Sequence, residues 1–296
     1  MNNKLPITVL IAAKNEERNL GRCLSTLSPA ERIVVIDSHS QDATASLAQE
    51  NGAEVVQFNY SGGYPKKRQW ALTTLDIATP WIFLLDADEA VPAALWEEIK
   101  EALTRPNGTN AYLITKGFHF LKRRFRFGGF SHAAVLLFRK GNAQFERLIE
   151  ETADGLDMEI HERLIVHGTI GKLKTPLIHE DFKGLEVYIA RHNHYSSWEA
   201  KVRYLFLYEG WRNHQTLSPK FFGPLQERRR FLKMIAMRTP FEPLLWFLYH
   251  YLFRLGFLEG RSGFIASQIR ANYIAQARAK LYEIQRQNGY SRGAAC

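Results

Sequence analysis

Short apolar runs alternate with amphipathic stretches through the first 140 residues. Ile7–Ala13 is almost wholly apolar, the pattern of a strand covered on both faces. Glu17–Thr26 then shows helical spacing, continued by Leu27, with Leu20 and Leu24 on one face. Ile33–Ile36 is a β-branched run that ends in Asp37, and Asp42 precedes Ala43–Glu50 as a helix N-cap, with Gly52 as its stop. Val55–Phe58 reads as the next strand and Lys66–Ile77 as the next helix. Trp81–Leu85 is a fully apolar strand that ends in Asp86, and Pro92 suits the first turn of a helix through Leu103. Ala111–Thr115 and Val135–Phe138 complete the strands. Strands of this length separated by helices predict an α/β fold: a Rossmann-like, mostly parallel sheet with helices on both faces. Ligands bind such sheets at the carboxyl ends of the strands. The polar clusters Lys14–Glu17, Asp37–Asp42 and Asp86–Glu89 all fall there.

From residue 181 the pattern changes. Glu186–Trp211, Leu225–Met237 and Phe264–Ile284 have helical periodicity, with breaks expected at Pro219–Pro224 and at Gly260–Gly263. Phe241–Leu258 is strongly apolar but carries His250 and Arg254, so an in-plane or re-entrant membrane segment fits it better than a span. The chain therefore divides into a catalytic domain over 1–180 and a helical extension over 181–296.

Charge sharpens that division. Residues 1–180 carry 21 Lys and Arg against 22 Asp and Glu, whereas residues 181–296 carry 18 against 8 and hold 22 of the 37 aromatic residues. A basic, aromatic-rich extension on a near-neutral body points to an anionic surface, either membrane lipid or nucleic acid. Two distant cysteines, Cys23 and Cys296, make no disulfide framework and suit a reducing cytoplasm. The apolar stretch near the N-terminus is read as a first buried strand rather than a signal peptide.

The chemistry-bearing residues cluster at the strand ends. Asp86-Ala87-Asp88 places two carboxylates one residue apart, which can jointly hold a hard divalent cation, Mn²⁺ or Mg²⁺, against diphosphate oxygens. Asp37 can accept a hydrogen bond from a base or ribose edge, and Lys67 and Arg68, at a helix start, can meet phosphate. No G-x-G-x-x-G, P-loop, C-x-x-C, zinc-protease helix or G-x-S-x-G elbow is present.

The ordered set Ala12-Ala13-Lys14-Asn15-Glu16, Asp37-Ser38-His39-Ser40-Gln41-Asp42-Ala43-Thr44, Lys67-Arg68-Gln69 and Asp86-Ala87-Asp88-Glu89 resembles glycosyltransferase family 2, whose catalytic domain has the GT-A fold. The resemblance implies that Ala13, Asn15, Glu16, Asp37 and Ser38 contact the nucleotide, that Lys67 and Arg68 lie near the diphosphate, and that Asp86, Ala87 and Asp88 lie near the sugar and metal. Phe118–Phe130, Met158–Leu164, His179–Lys183 and Arg191–Ser196 resemble a bacterial subgroup related to lipopolysaccharide-core and exopolysaccharide transferases. This subgroup makes Glu162 the catalytic base of an inverting displacement, with Glu180 and Asp181 as rivals and an ion pair with Arg163 or a nearby lysine as its structural alternative. His161 and His179 are read either as metal ligands or as hydrogen-bonded structural histidines. Phe120–Phe130 forms either an acceptor groove or a basic hairpin.

The expected partners are a nucleotide-sugar donor, UDP-linked, a lipid-linked or polysaccharide acceptor and a membrane surface, with no nucleic acid. The expected place is the cytoplasm, peripheral or monotopic on the cytoplasmic face of the inner membrane. A nucleotidyltransferase of related fold and a non-enzymatic membrane- or nucleic-acid-binding protein are the alternatives.

Overall fold

A computed structural model describes residues 4–104, 108–147, 157, 159, 162–208, 220–223 and 225–288. The chain forms two compact units. The first comprises 1–125, 131–146 and 150–183, and the second comprises 126–130, 147–149 and 184–296. His161 lies outside the described residues, as do Met158, Ile160, Pro219 and Pro224.

In chain order the first unit runs β1 (Leu5–Ala13), α1 (Glu17–Ser25), β2 (Ala30–Asp37), α2 (Thr44–Glu50), β3 (Glu54–Gln57), α3 (Lys67–Thr74), β4 (Trp81–Asp86), β5 (Glu89–Ala90), α4 (Ala93–Thr104), β6 (Thr109–Phe120), β7 (Arg123–Arg124), β8 (His132–Arg139), β9 (Ala143–Phe145), β10 (Leu164–Val166), β11 (Thr169–Lys172) and β12 (Leu177–His179). The main sheet has the order β3-β2-β1-β4-β8-β6-β12-β5, with β7 and β11 also on β6. β1 pairs in parallel with both β2 and β4, while β8 is antiparallel to β4 and β6. This is the GT-A-type α/β architecture expected, with an antiparallel insertion on the β4 side.

Burial on both faces explains the continuous apolar strands. Along β1, Ile7, Val9, Ile11 and Ala13 join one core layer with Leu20, Leu24 and Trp96. Leu10 points the other way, into a layer with Ile36, Leu84 and Ala71. The period of two thus sorts one strand between helices on opposite faces. β6 is longer than the expected Ala111–Thr115, because its far half pairs with β12 and β7. The stretch Phe120–Arg124 is a hairpin turn, and Arg126–Phe130 belongs to the second unit.

The second unit contains α5 (Leu185–Tyr208), α6 (Leu225–Arg238), α7 (Glu242–Leu248), a π turn (Tyr249–Phe253), a 3₁₀ turn (Gly256–Glu259) and α8 (Gly260–Gln287). The break expected over Gly260–Gly263 is confined to Gly260, at φ 62° after the 3₁₀ turn, and α8 runs from there straight through Gly263. The physical reason is close packing. A Cβ on Gly263 would stand 2.0 Å from the Gly256 carbonyl oxygen, so the glycine serves backbone approach within a helix. The unit is centred on buried charge: Arg203 reaches Glu242 at 2.7 and 3.0 Å and Glu199 at 2.8 Å. Among the described residues no helix is long and apolar enough to cross a membrane.

Candidate active site

Register places the polar strand ends side by side. Ala13 is level with Asp37 across β1–β2, and Ala12 is level with Asp86 across β1–β4. Asp37 and Asp86 therefore sit at one sheet edge, two strand spacings apart, about 10 Å at 4.8 Å per spacing. The loops that follow β1 and β2 are tied together. Asn15, at φ 54°, gives its N–H to Ser40 Oγ (2.8 Å) and takes the Gln41 N–H on Oδ1 (2.8 Å). The Glu16 N–H donates to Thr44 Oγ1 at 2.7 Å. Asp42 accepts the Thr44 N–H at 3.0 Å and the Glu17 N–H at 3.2 Å, so it serves the starts of both α2 and α1.

Asp37 is buried and spends its carboxylate on this turn, accepting the Ser40 N–H, the Ser40 hydroxyl and the Gln57 amide (3.1 Å). Ser38 donates its hydroxyl to Asp157, and its N–H goes to the Ala13 carbonyl at 3.2 Å. Lys67, expected at the diphosphate, is buried instead. Its ammonium donates to the Ala13 carbonyl (2.8 Å) and lies 3.1 Å from Asp157. Burial pulls its pKa below the usual lysine range, against the nearby Asp157. Its fixed work is to join the β1 end to the start of α3.

Arg68, one residue on, reaches the sheet edge and pairs with Asp86. The other Asp86 oxygen accepts from Lys116 Nζ at 2.6 Å, and that ammonium also lies 2.6 Å from Glu89 Oε1. Burial alone would raise the Asp86 pKa, but Arg68 and Lys116 outweigh it and hold the carboxyl well below its ordinary range. Burial raises Glu89, with Lys116 opposing. The Glu89 carboxylate also accepts the Asp86 N–H at 2.9 Å, which fixes the turn. Ala87 is buried under that turn.

Asp88 faces His179 at the end of β12, with Oδ2 3.3 Å from Nε2. Burial would lower the imidazole pKa, but the Asp88 charge and hydrogen bond raise it to about 9. The chain after His179 is laced to α1. Arg22 donates to the carbonyls of Asp88 (2.8 Å) and Glu180 (2.7 Å), Asp181 accepts from Asn19 (3.0 Å), and Lys183 meets Glu16 at 2.5 Å. Glu180 and Asp181 are thus engaged with α1.

Glu162 lies on the α3 side. Its Oε1 accepts from Lys66 Nζ at 2.8 Å, and its side chain is 5% exposed. Burial raises its pKa to about 7 against the Lys66 charge. Its Oε2 has no hydrogen-bond partner among the described residues. Glu159 caps α3 from outside, accepting the N–H groups of Arg68 (3.1 Å) and Gln69 (2.9 Å).

Asp37, Arg68, Asp86 and Asp88 thus come together at one edge, with Asn15 and Glu16 on the adjoining loop. Lys67 and Ser38 sit beneath it, and Glu162 stands beside α3. The motif reading missed Lys116 and Asp157, and it quoted Glu159 without giving it a role. Lys116 left one signal, a lone cation inside the apolar strand Ala111–Phe120. Asp157 left none, and the capping role of Glu159 left none, since only the fold carries them to α3.

Residues 8–150 match the family model described as Glycosyl transferase family 2. The chain is 29% identical over 291 residues to the lipopolysaccharide core biosynthesis glycosyltransferase LpsC of Rhizobium meliloti (strain 1021), a match covering 95% of this chain and 93% of that one. It is 24% identical over 281 residues to an uncharacterized glycosyltransferase of Rickettsia felis, covering 94% and 89%. Among solved structures, glucosyl-3-phosphoglycerate synthase from Mycobacterium tuberculosis, in complex with Mn²⁺, UDP and glucosyl-3-phosphoglycerate, is similar at 22% identity and a TM-score of 0.32, over 39% of this chain and 44% of that one. With the family 2 model over the strand-end motifs and a named transferase matched along nearly the whole length, the chain is a glycosyltransferase whose residues 8–150 are similar to family 2.

Proposed function

We propose that the chain is an inverting transferase that moves a sugar from a UDP-linked donor to a lipid-linked glycan, or to a lipopolysaccharide or exopolysaccharide acceptor, at the cytoplasmic face of the inner membrane. The observation that carries this reading is the shared edge of Asp37, Asp86 and Arg68, with Asp88 and His179 beside them. Residues 1–180 supply the catalytic domain and 181–296 the membrane-associating extension. The nucleotidyltransferase and non-enzymatic alternatives are set aside, because the chain is a glycosyltransferase.

The donor nucleoside lies along the β1–β2 loops, where Asn15, Glu16, Asp37 and Ser38 shape the turn, and Arg68 faces the diphosphate. The acceptor hydroxyl attacks the anomeric carbon, the bond to the diphosphate oxygen breaks, and Glu162 takes the hydroxyl proton. A carboxylate with a pKa near 7 and one open oxygen suits a base working at neutral pH.

A divalent cation fits the Asp88–His179 pair. The Asp88 carboxylate and the His179 imidazole, 3.3 Å apart, would supply two donors, the cation displacing the proton that keeps the imidazole charged. Asp86, expected as a metal ligand, has both oxygens engaged by Arg68 and Lys116 and acts from beside that pair. A divalent cation held there would supply positive charge opposite the departing nucleoside diphosphate.

A donor screen tests the reading. UDP and UDP-sugars raise the unfolding temperature, more so with Mn²⁺ or Mg²⁺ present, whereas GDP does not. The absence of a shift with every nucleotide overturns it.

A further inference from the structure

Phe241–Leu258 is folded inside out. Its one acid and its histidine point inward. Glu242 is fully buried between Arg203 and Arg278, and Glu259, just beyond, accepts the N–H groups of Arg126 and Phe127 at 2.7 and 2.9 Å. His250 is stacked between Phe130 and Trp246, and its Nδ1 lies 2.6 Å from the Gly128 carbonyl. The apolar side chains point outward. Phe253 is 77% exposed and Phe241 68%, with Leu244, Leu245, Leu252 and Leu258 exposed along the same segment. Water disfavours that arrangement, and an exposed apolar surface of this extent marks an interaction site.

The charge around the patch says what covers it. Between residues 238 and 261 the acids are Glu242 and Glu259, both buried, while Arg238, Arg254 and Arg261 are all exposed. The outward face is therefore apolar with a purely cationic rim. A second copy of this chain, packed twofold on the same face, would set arginine against arginine. An anionic phospholipid monolayer offers both complements, acyl chain for the leucines and phenylalanines and phosphate for the arginines. The segment is a short helix, a π turn and a 3₁₀ turn, so it enters one leaflet rather than spanning two.

We propose that the outer face of Phe241–Leu258 is a membrane wedge that inserts into an anionic phospholipid monolayer, with Phe253 buried among the acyl chains and Arg238, Arg254 and Arg261 at the phosphate level. This rests on the membrane half of the proposed function and not on its chemistry.

The test is flotation of the full chain with vesicles of phosphatidylethanolamine and phosphatidylglycerol, and with vesicles of phosphatidylcholine alone. The wild type floats with the anionic vesicles and stays partly bound in 1 M salt, because acyl contact is not screened. Phe253→Glu lowers the partition by about tenfold or more, since burying one phenylalanine is worth at least that factor. Arg238→Glu with Arg261→Glu removes the preference for anionic vesicles. Both variants keep the wild-type unfolding temperature and the UDP-induced shift, so loss of flotation with that shift intact reports on the wedge, and loss of the shift reports on the catalytic reading. Wild-type flotation in the Phe253→Glu and Leu244→Glu variants, or full release of the wild type by salt, overturns insertion. A wild type that does not float but forms a dimer, with Phe253→Glu monomeric, also overturns it and makes the face an interface between copies.

Discussion

The ammonium of Lys116 stands 2.6 Å from Asp86 and 2.6 Å from Glu89, joining two carboxylates of the β4–β5 turn through a cation carried in on β6. Two acids three residues apart repel, and this turn keeps them together because a buried base lies between them. Asp86 and Glu89 in turn lift the Lys116 pKa above the usual lysine range, against its burial. Lys116→Met leaves Glu89 buried without that charge and lowers stability by about 3–5 kcal/mol near neutral pH. Urea unfolding measures it, and a loss below about 1 kcal/mol would show that the turn holds its shape without Lys116.

With Glu162 as the proposed base, its titration sets the acid side of the activity profile. Burial raises its pKa to about 7, so the base form accumulates, and turnover rises, as pH passes through that value. Its effect on stability has the opposite sign. A carboxyl raised in the folded state contributes stability that is full below its unfolded pKa, near 4.5, and is lost as pH rises to about 7. Glu162→Gln lowers kcat by about 10²–10⁴-fold and removes the limb near neutral pH. An unchanged profile in that variant passes the role of base to Glu180 or Asp181.

Asp88→Asn tests the cation. The substitution keeps the shape of the side chain but removes the charge that faces His179. The extra unfolding-temperature shift that Mn²⁺ adds to UDP disappears, and kcat falls by at least about 100-fold, equivalent to about 2.7 kcal/mol of transition-state stabilisation. Turnover equal to wild type without added metal would rule out this placement of the cation.

Lys67 separates a structural cation from a phosphate-binding one. Its ammonium joins the Ala13 carbonyl to Asp157 in the buried layer under the edge. Lys67→Met lowers stability by about 3–5 kcal/mol, because Asp157 keeps its charge with that pairing lost. Arg68→Met, on the edge itself, acts mainly on donor KM. If Lys67→Met instead unfolds like wild type and weakens UDP alone, the ammonium reaches the diphosphate in the working enzyme.

How much of this was legible beforehand depends on whether the information was local. Strand, turn and cap patterns are local, so Ile7–Ala13, Trp81–Leu85 and the acids at their ends could be placed from spacing alone. The edge holding Asp37 and Asp86 followed, because strand ends in a parallel sheet fall on one side. What the sequence by itself determined is therefore the layered α/β body and its polar rim. Only the tertiary structure decided which partner each rim residue holds: Lys116 for Asp86, His179 for Asp88, Lys66 for Glu162, and the burial of Lys67 beneath Ala13. Those partners stand 30, 91, 96 and 54 residues apart. The inversion of Phe241–Leu258 belongs to the same class. The apolar run was plain in the sequence, but which side faces out was set by Arg203 and Arg278, which draw Glu242 inward from two other helices. Hydrophobic period is written in neighbouring residues, whereas pairing of charges depends on where distant segments meet.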